Sequence, residues 1–144
     1  MDTIKFNCVI SSSNITVPVG MEIWLDDQKL FDQDHVDHDY PVEYEIPDDD
    51  GDHEMRFVLK NKRSDHTQVD LDGNIVSDAT VMVSNIRFDD IDCQYLTVKL
   101  AEYQHDFNGT GNPTIDKFYG EMGCNGTVSL KFTTPIYLWL LENM

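Results

Sequence analysis

Apolar residues fall on every second position through much of this chain. Ile4, Phe6, Cys8 and Ile10 point one way, with Lys5, Asn7 and Val9 between them. Met21, Ile23 and Leu25 alternate with Glu22 and Trp24; Val42, Tyr44 and Ile46 alternate with Glu43 and Glu45. Met55, Phe57 and Leu59 follow, then Val81 and Val83, Leu96 through Leu100, and Val128, Leu130 and Phe132. In an extended chain, positions i, i+2 and i+4 share one face, so each run predicts a half-buried strand. A last strand is expected from Ile136. The stretch near Tyr95 to Tyr103 reads as a short turn or a strand end, and a helical period is sustained nowhere.

The residues between the runs are turn formers. Asp50-Gly51 follows Pro47, and Asp72-Gly73-Asn74 separates two extended segments. Glycine takes positive φ without steric cost, and Asp and Asn bond their own backbone. From His105 to Gly126 the chain carries Gly109, Gly111, Gly120, Gly123 and Gly126, with Asn108, Asn112 and Asn125, and it reads as a long irregular loop. Such loops in a compact domain commonly carry contacts or function. Short alternating runs with turns between them predict an all-β fold: an antiparallel, jelly-roll-like β-sandwich of roughly eight to ten strands. At 144 residues, 40% of them hydrophobic, the chain is expected to form one domain over 1–144.

Charge narrows the function classes. Against 27 Asp and Glu stand 10 Lys and Arg, a net charge of -17. Nucleic acid and anionic membranes both require a positive footprint, so neither is an expected partner. Divalent cations, basic protein surfaces and simple solubility all suit the balance. The N-terminus enters a strand pattern directly, without the basic and apolar regions of a signal peptide, and synthesis in a cytoplasm is expected. Cys8, Cys93 and Cys124 are odd in number and widely spaced, with no zinc spacing; Cys8 reads as a reduced core thiol.

Acid is densest between Asp26 and Glu54, where Lys29 is the only Lys or Arg. Asp48, Asp50 and Asp52 begin like a calcium-binding EF-hand loop, but Gly51 is misplaced and the twelfth position is Leu59. A looser calcium site would join Asp48, Asp50 and Asp52 to Asp26 or Asp27; the competing reading is a solvated acidic turn. No cofactor is required by either. His35 and His38, with Asp37 or Asp39, have metal-like spacing but lie in loop-like surroundings, and His53 is placed to hydrogen-bond the acidic turn. His66 and His105 are isolated. No Gly-x-Ser-x-Gly occurs and no Cys neighbours a His, so an enzyme is not expected. Trp24 shares a face with Glu22, which makes it either a stacking platform or a packing residue; Tyr119 in the glycine-rich loop is a second aromatic candidate.

Two resemblances bear on function. The segments 21–31 (Met21-Glu22-Ile23-Trp24-Leu25-Asp26-Asp27 and on to Phe31) and 50–62 (Asp50-Gly51-Asp52-His53-Glu54-Met55-Arg56-Phe57 and on to Lys62) resemble strands of jelly-roll carbohydrate-binding modules, including calcium-dependent xylan-binding ones. That resemblance implies a calcium-assisted carbohydrate-binding or adhesion module, with a glycan as partner. The C-terminal stretch from Gly120 to Met144, the acidic composition and the small size resemble virion proteins of tailed, T4-like bacteriophages of marine bacteria. This second resemblance implies a non-catalytic structural component of the tail, baseplate or capsid surface. It would be located in the virion and would contact other virion proteins or itself. The apolar terminal run and the glycine-rich loop are then the expected contact elements.

Overall fold

A computed structural model describes residues 3–63, 67–69, 71–107 and 111–144. His66 and Asn108 lie outside them. Two antiparallel sheets pack face to face as an all-β sandwich. The first has the order β12-β8-β1-β4, with β9 added to β8. Its strands are β1 (Thr3–Ser12), β4 (Tyr40–Pro47), β8 (Val81–Phe88), β9 (Ile91–Asp92) and β12 (Glu121–Met122). The second has the order β11-β10-β13-β5-β2-β3. It holds β2 (Gly20–Leu25), β3 (Gln28–Gln33), β5 (Asp52–Lys60), β10 (Glu102–His105), β11 (Thr114–Lys117) and β13 (Gly126–Thr133). A separate hairpin pairs β6 (Thr67–Val69) with β7 (Ile75–Asp78). The described strands outnumber the expected eight to ten because several, such as β9 and β12, are only 2 residues long.

Alternation set the faces as the sequence indicated, except that Tyr44, between the buried Val42 and Ile46, is exposed. Ile4, Phe6, Cys8 and Ile10 are buried on β1, opposite Met21, Ile23, Met55, Phe57, Leu59, Val128, Leu130 and Phe132 from the second sheet. All belong to one buried cluster. At its centre Phe6 lies between Phe57 and Phe88, at centroid distances of 6.5 and 5.4 Å. Burying such rings contributes about 1.5–3 kcal/mol each. The Cys8 thiol is pushed up to about 12 by burial and stays protonated.

Three segments depart from the expected reading. The run from Ile136 is α2 (Ile136–Asn143), a helix and not a strand. Pro135, with φ of -62°, stands at its N-cap, and the buried residues Ile136, Trp139 and Leu140 are spaced i, i+3, i+4. A short apolar run has no polar residues to reveal its period, so strand and helix look alike. Residues Gln94–Leu100 form α1, which buries Leu96 and Thr97, before β10 begins at Glu102. The described residues between His105 and Gly126 are more ordered than a loop: β11 pairs with β10, β12 pairs with β8, and Phe118 is fully buried; Asn108 and Gly109 lie outside the described residues.

Lys62 carries a charge buried inside the fold. Lys62 is 4% exposed, and its ammonium donates to Asp78 Oδ1 at 2.5 Å, to Gly123 O at 2.9 Å and to Ala79 O. Its backbone is held at both ends by Asn125, whose Oδ1 accepts from Lys62 N at 2.9 Å and whose Nδ2 donates to Lys62 O at 2.7 Å. A buried ammonium costs little only when all three of its protons find acceptors, as here.

Candidate functional site

The acidic turn between β4 and β5 lies beside the β2–β3 hairpin because β5 pairs with β2, Leu25 standing opposite Met55. Asp26 begins that hairpin with φ of 51°, a conformation Asp tolerates better than most residues. Its backbone N donates to Glu54 O at 2.9 Å, and its Oδ1 accepts from Glu54 N at 2.9 Å. The carboxylate thus supplies the next rung of the β2–β5 ladder. The Asp26 carbonyl accepts from Arg56 Nη2 at 2.8 Å.

His53 organises the rest. It has the same parity on β5 as Met55, Phe57 and Leu59, so its ring faces the end of the core, with its side chain 8% exposed. It packs on Phe132 at a centroid distance of 5.5 Å. Nδ1 lies 2.8 Å from Asp26 Oδ2, and Nε2 lies 2.7 Å from Asp49 Oδ1. With a carboxylate at each nitrogen, the protonated ring donates twice. Burial disfavours the charged ring, but the hydrogen bonds to Asp26 and Asp49 outweigh it and raise its pKa above the ordinary 6.5. The same bond to His53 lowers the pKa of Asp49, with burial opposing and the Thr134 hydroxyl assisting.

The turn is also tied to the start of α2. Thr134 Oγ1 donates to Asp49 Oδ1 at 3.1 Å and accepts from Gly51 N at 3.0 Å. Thr134 N donates to Gly51 O at 2.9 Å, and Ile136 N donates to Asp48 Oδ1 at 3.1 Å. Asp48 therefore satisfies one of the orphan amides at the helix start, a role its own N-cap proline cannot fill. A cleft of about 460 Å³ opens beside the clamp, with Asp26, Asp52, Glu54 and Lys131 around Phe132 and Trp139. Neither nitrogen of His53 is free to take a proton from a molecule bound there.

The five carboxylates singled out for calcium are thus divided. Asp26 and Asp48 are engaged by His53 and by backbone amides, whereas Asp27, Asp50 and Asp52 are exposed. Among the described residues no group of three His, Cys, Asp or Glu side chains converges as a metal site. Asp49, which crowds the same turn but was not among the calcium candidates, is the member that meets His53. Its i,i+4 spacing to His53 and the core parity of His53 were the available signals. His35 and His38 do not converge: His35 Nε2 bonds Ile15 O at 2.6 Å, and His38 Nδ1 bonds Asp37 Oδ1 at 2.8 Å.

Trp24 lies half-buried on the outer face of the second sheet. Its Nε1 donates to Glu22 Oε1 at 2.8 Å. Lys29 Nζ and the Arg56 guanidinium stand over its ring, 5.3 and 5.5 Å from the centroid. Lys60 continues this polar layer, bonding Glu22 at 3.1 Å, Asp34 at 2.9 Å and Asp32. Trp24 therefore packs within a charged layer on the sheet surface, not in a second buried core. Tyr119 is 73% exposed and follows β11 at one edge of the sheet, whereas Trp24 is on β2 near the other. The two do not share one platform.

An exposed apolar cluster runs along α2 to its C-cap, Met144. Tyr137, Leu138, Leu141 and Met144 are exposed while Ile136, Trp139 and Leu140 are buried. Among the described residues no helix is long and apolar enough to cross a membrane. Compared with known proteins, the chain matches no family model, and no curated protein or solved structure is significantly similar to it.

Proposed function

We propose that this chain is a non-catalytic structural component of a tailed-phage virion, on the tail, baseplate or capsid surface, working through protein–protein contacts. One observation carries the contact reading: α2 is apolar on both sides, and only one side is buried by its own domain. A helix apolar all round is normally covered all round. The virion setting rests on the resemblance of the C-terminal stretch and the acidic composition to small virion proteins. Calcium-assisted carbohydrate binding has less support, because Lys29 and Arg56 flank the Trp24 ring and His53 already engages Asp26 and Asp49.

The test is particle composition. Phage particles from the source culture, banded on a density gradient, should contain the chain at a fixed copy number by quantitative mass spectrometry. An antibody to the recombinant domain should label one place on them in electron micrographs. Recovery of the chain in the soluble fraction alone would sink the reading.

A further inference from the structure

The contact surface carries information about what covers it. On α2 Leu138 and Leu141 are 57% and 74% exposed, with Tyr137 and the following Met144 also exposed. Leu138 and Leu141 are spaced i,i+3 and lie on one face. The surroundings are acidic. Tyr137 donates its hydroxyl to Asp89 Oδ2 at 2.8 Å, and Asp90 follows in sequence. Asp48 sits at the helix start, and Glu142 is exposed on the helix itself. Two bases lie near the helix: Lys99 donates to Asn143 O at 3.3 Å at its end, and Lys131 lines a cleft with Trp139 and Asn143. Carboxylates outnumber bases around this apolar face, which gives it a defined complement.

Resting on the virion-contact reading above, we propose that the outer face of α2 docks a basic amphipathic segment of a different protein. The apolar side of that segment covers Leu138 and Leu141, and its Lys or Arg residues meet Asp90 and Glu142. A second copy of this chain fits poorly. A symmetric contact would place the same carboxylates against one another, on chains that each carry a net charge of -17. An anionic bilayer is repelled for the same reason. Charge on the rim steers the encounter and rejects acidic partners, while the leucines supply the buried area.

The probe is a labelled synthetic helix with a leucine face and lysines elsewhere, compared by fluorescence anisotropy with a twin carrying glutamate for lysine. The lysine peptide should bind the intact chain, and the glutamate peptide should not. Leu138→Ser/Leu141→Ser leaves every charge in place and should weaken binding about tenfold or more. Asp90→Asn/Glu142→Gln should weaken it less and flatten its salt dependence. Melting curves of both variants check that they fold. Equal binding to the Leu138→Ser/Leu141→Ser variant overturns the proposal, because charge alone then explains the contact. So does a dimer in light scattering, or flotation with phosphatidylcholine vesicles, if either disappears in that variant. Incorporation into particles unaffected by Leu138→Ser/Leu141→Ser would keep the virion reading and remove this surface. A specific peptide result without particle incorporation would do the reverse.

Discussion

At the β4–β5 turn, Asp48 accepts from the Ile136 amide, and Asp49 binds both His53 and Thr134. On α2, which begins where those bonds end, Leu138 and Leu141 stay largely exposed. The turn is the part of the chain whose composition most suggests a ligand, yet its best-placed carboxylates are already used to hold the fold together. The helix is the part whose composition most suggests a core, yet half of it faces outward. Polar groups that find partners inside a domain are explained by that domain, whereas apolar surface left uncovered calls for another.

The two faces of α2 differ most at Trp139. Its ring packs edge-on against Phe132 and Phe88 at 6.0 and 6.3 Å, and it is 6% exposed. Trp139→Ala should cost about 3–5 kcal/mol, against less than about 0.5 kcal/mol for Leu138→Ser on the other side of the helix. Thermal or urea melts of the two variants measure the difference. Equal losses would mean that both faces of α2 are buried in the free protein, and the contact reading would fall.

His53 offers a sharper cut through the turn. His53→Gln keeps one donor and loses the second bond and the charge, a cost of about 1–2 kcal/mol. The pH dependence carries a sign. The pKa of His53 is raised in the folded protein, so its contribution is complete below the ordinary value of 6.5 and is lost as pH rises through the folded value. The pKa of Asp49 is lowered, so its contribution is complete above the ordinary 3.8 and is lost as pH falls through the folded value. The clamp is therefore strongest between those two ordinary values. Melts from pH 5 upward should show wild-type stability falling as pH rises above 6.5, and His53→Gln should flatten that fall. A parallel decline in both proteins would assign it to other groups.

Much of the sandwich was legible because the sheets put one face of each strand in the core. Ile4 to Ile10 and Met55 to Leu59 show their burial as alternation. α2 was not legible as a helix, since Ile136 to Leu141 has no polar residue to mark its period; Pro135 was the signal. Of the site, the partnership of His53 with the turn could be read, because sequence neighbours on a turn and a strand end must lie close. The role of Asp26 needed the pairing of β2 with β5, a contact across 28 residues that no local pattern encodes.

The smallest expected effect tests the turn itself. Asp48→Asn keeps a side-chain oxygen for the Ile136 amide, and Asn at position 50 tolerates the φ of 61° much as Asp does. The double variant Asp48→Asn/Asp50→Asn should therefore melt within about 0.5 kcal/mol of wild type. Because Asp49 and Asp26 are engaged by His53, melts in EDTA and in excess calcium should also coincide. A calcium site filled at about a hundred times its dissociation constant adds about 2.7 kcal/mol, a shift of several degrees that a melt resolves easily. If calcium raises the midpoint by that amount and the double variant abolishes the rise, the carboxylates of the turn serve an ion as well as the fold. The comparison with α2 would then have to be redrawn around two binding surfaces.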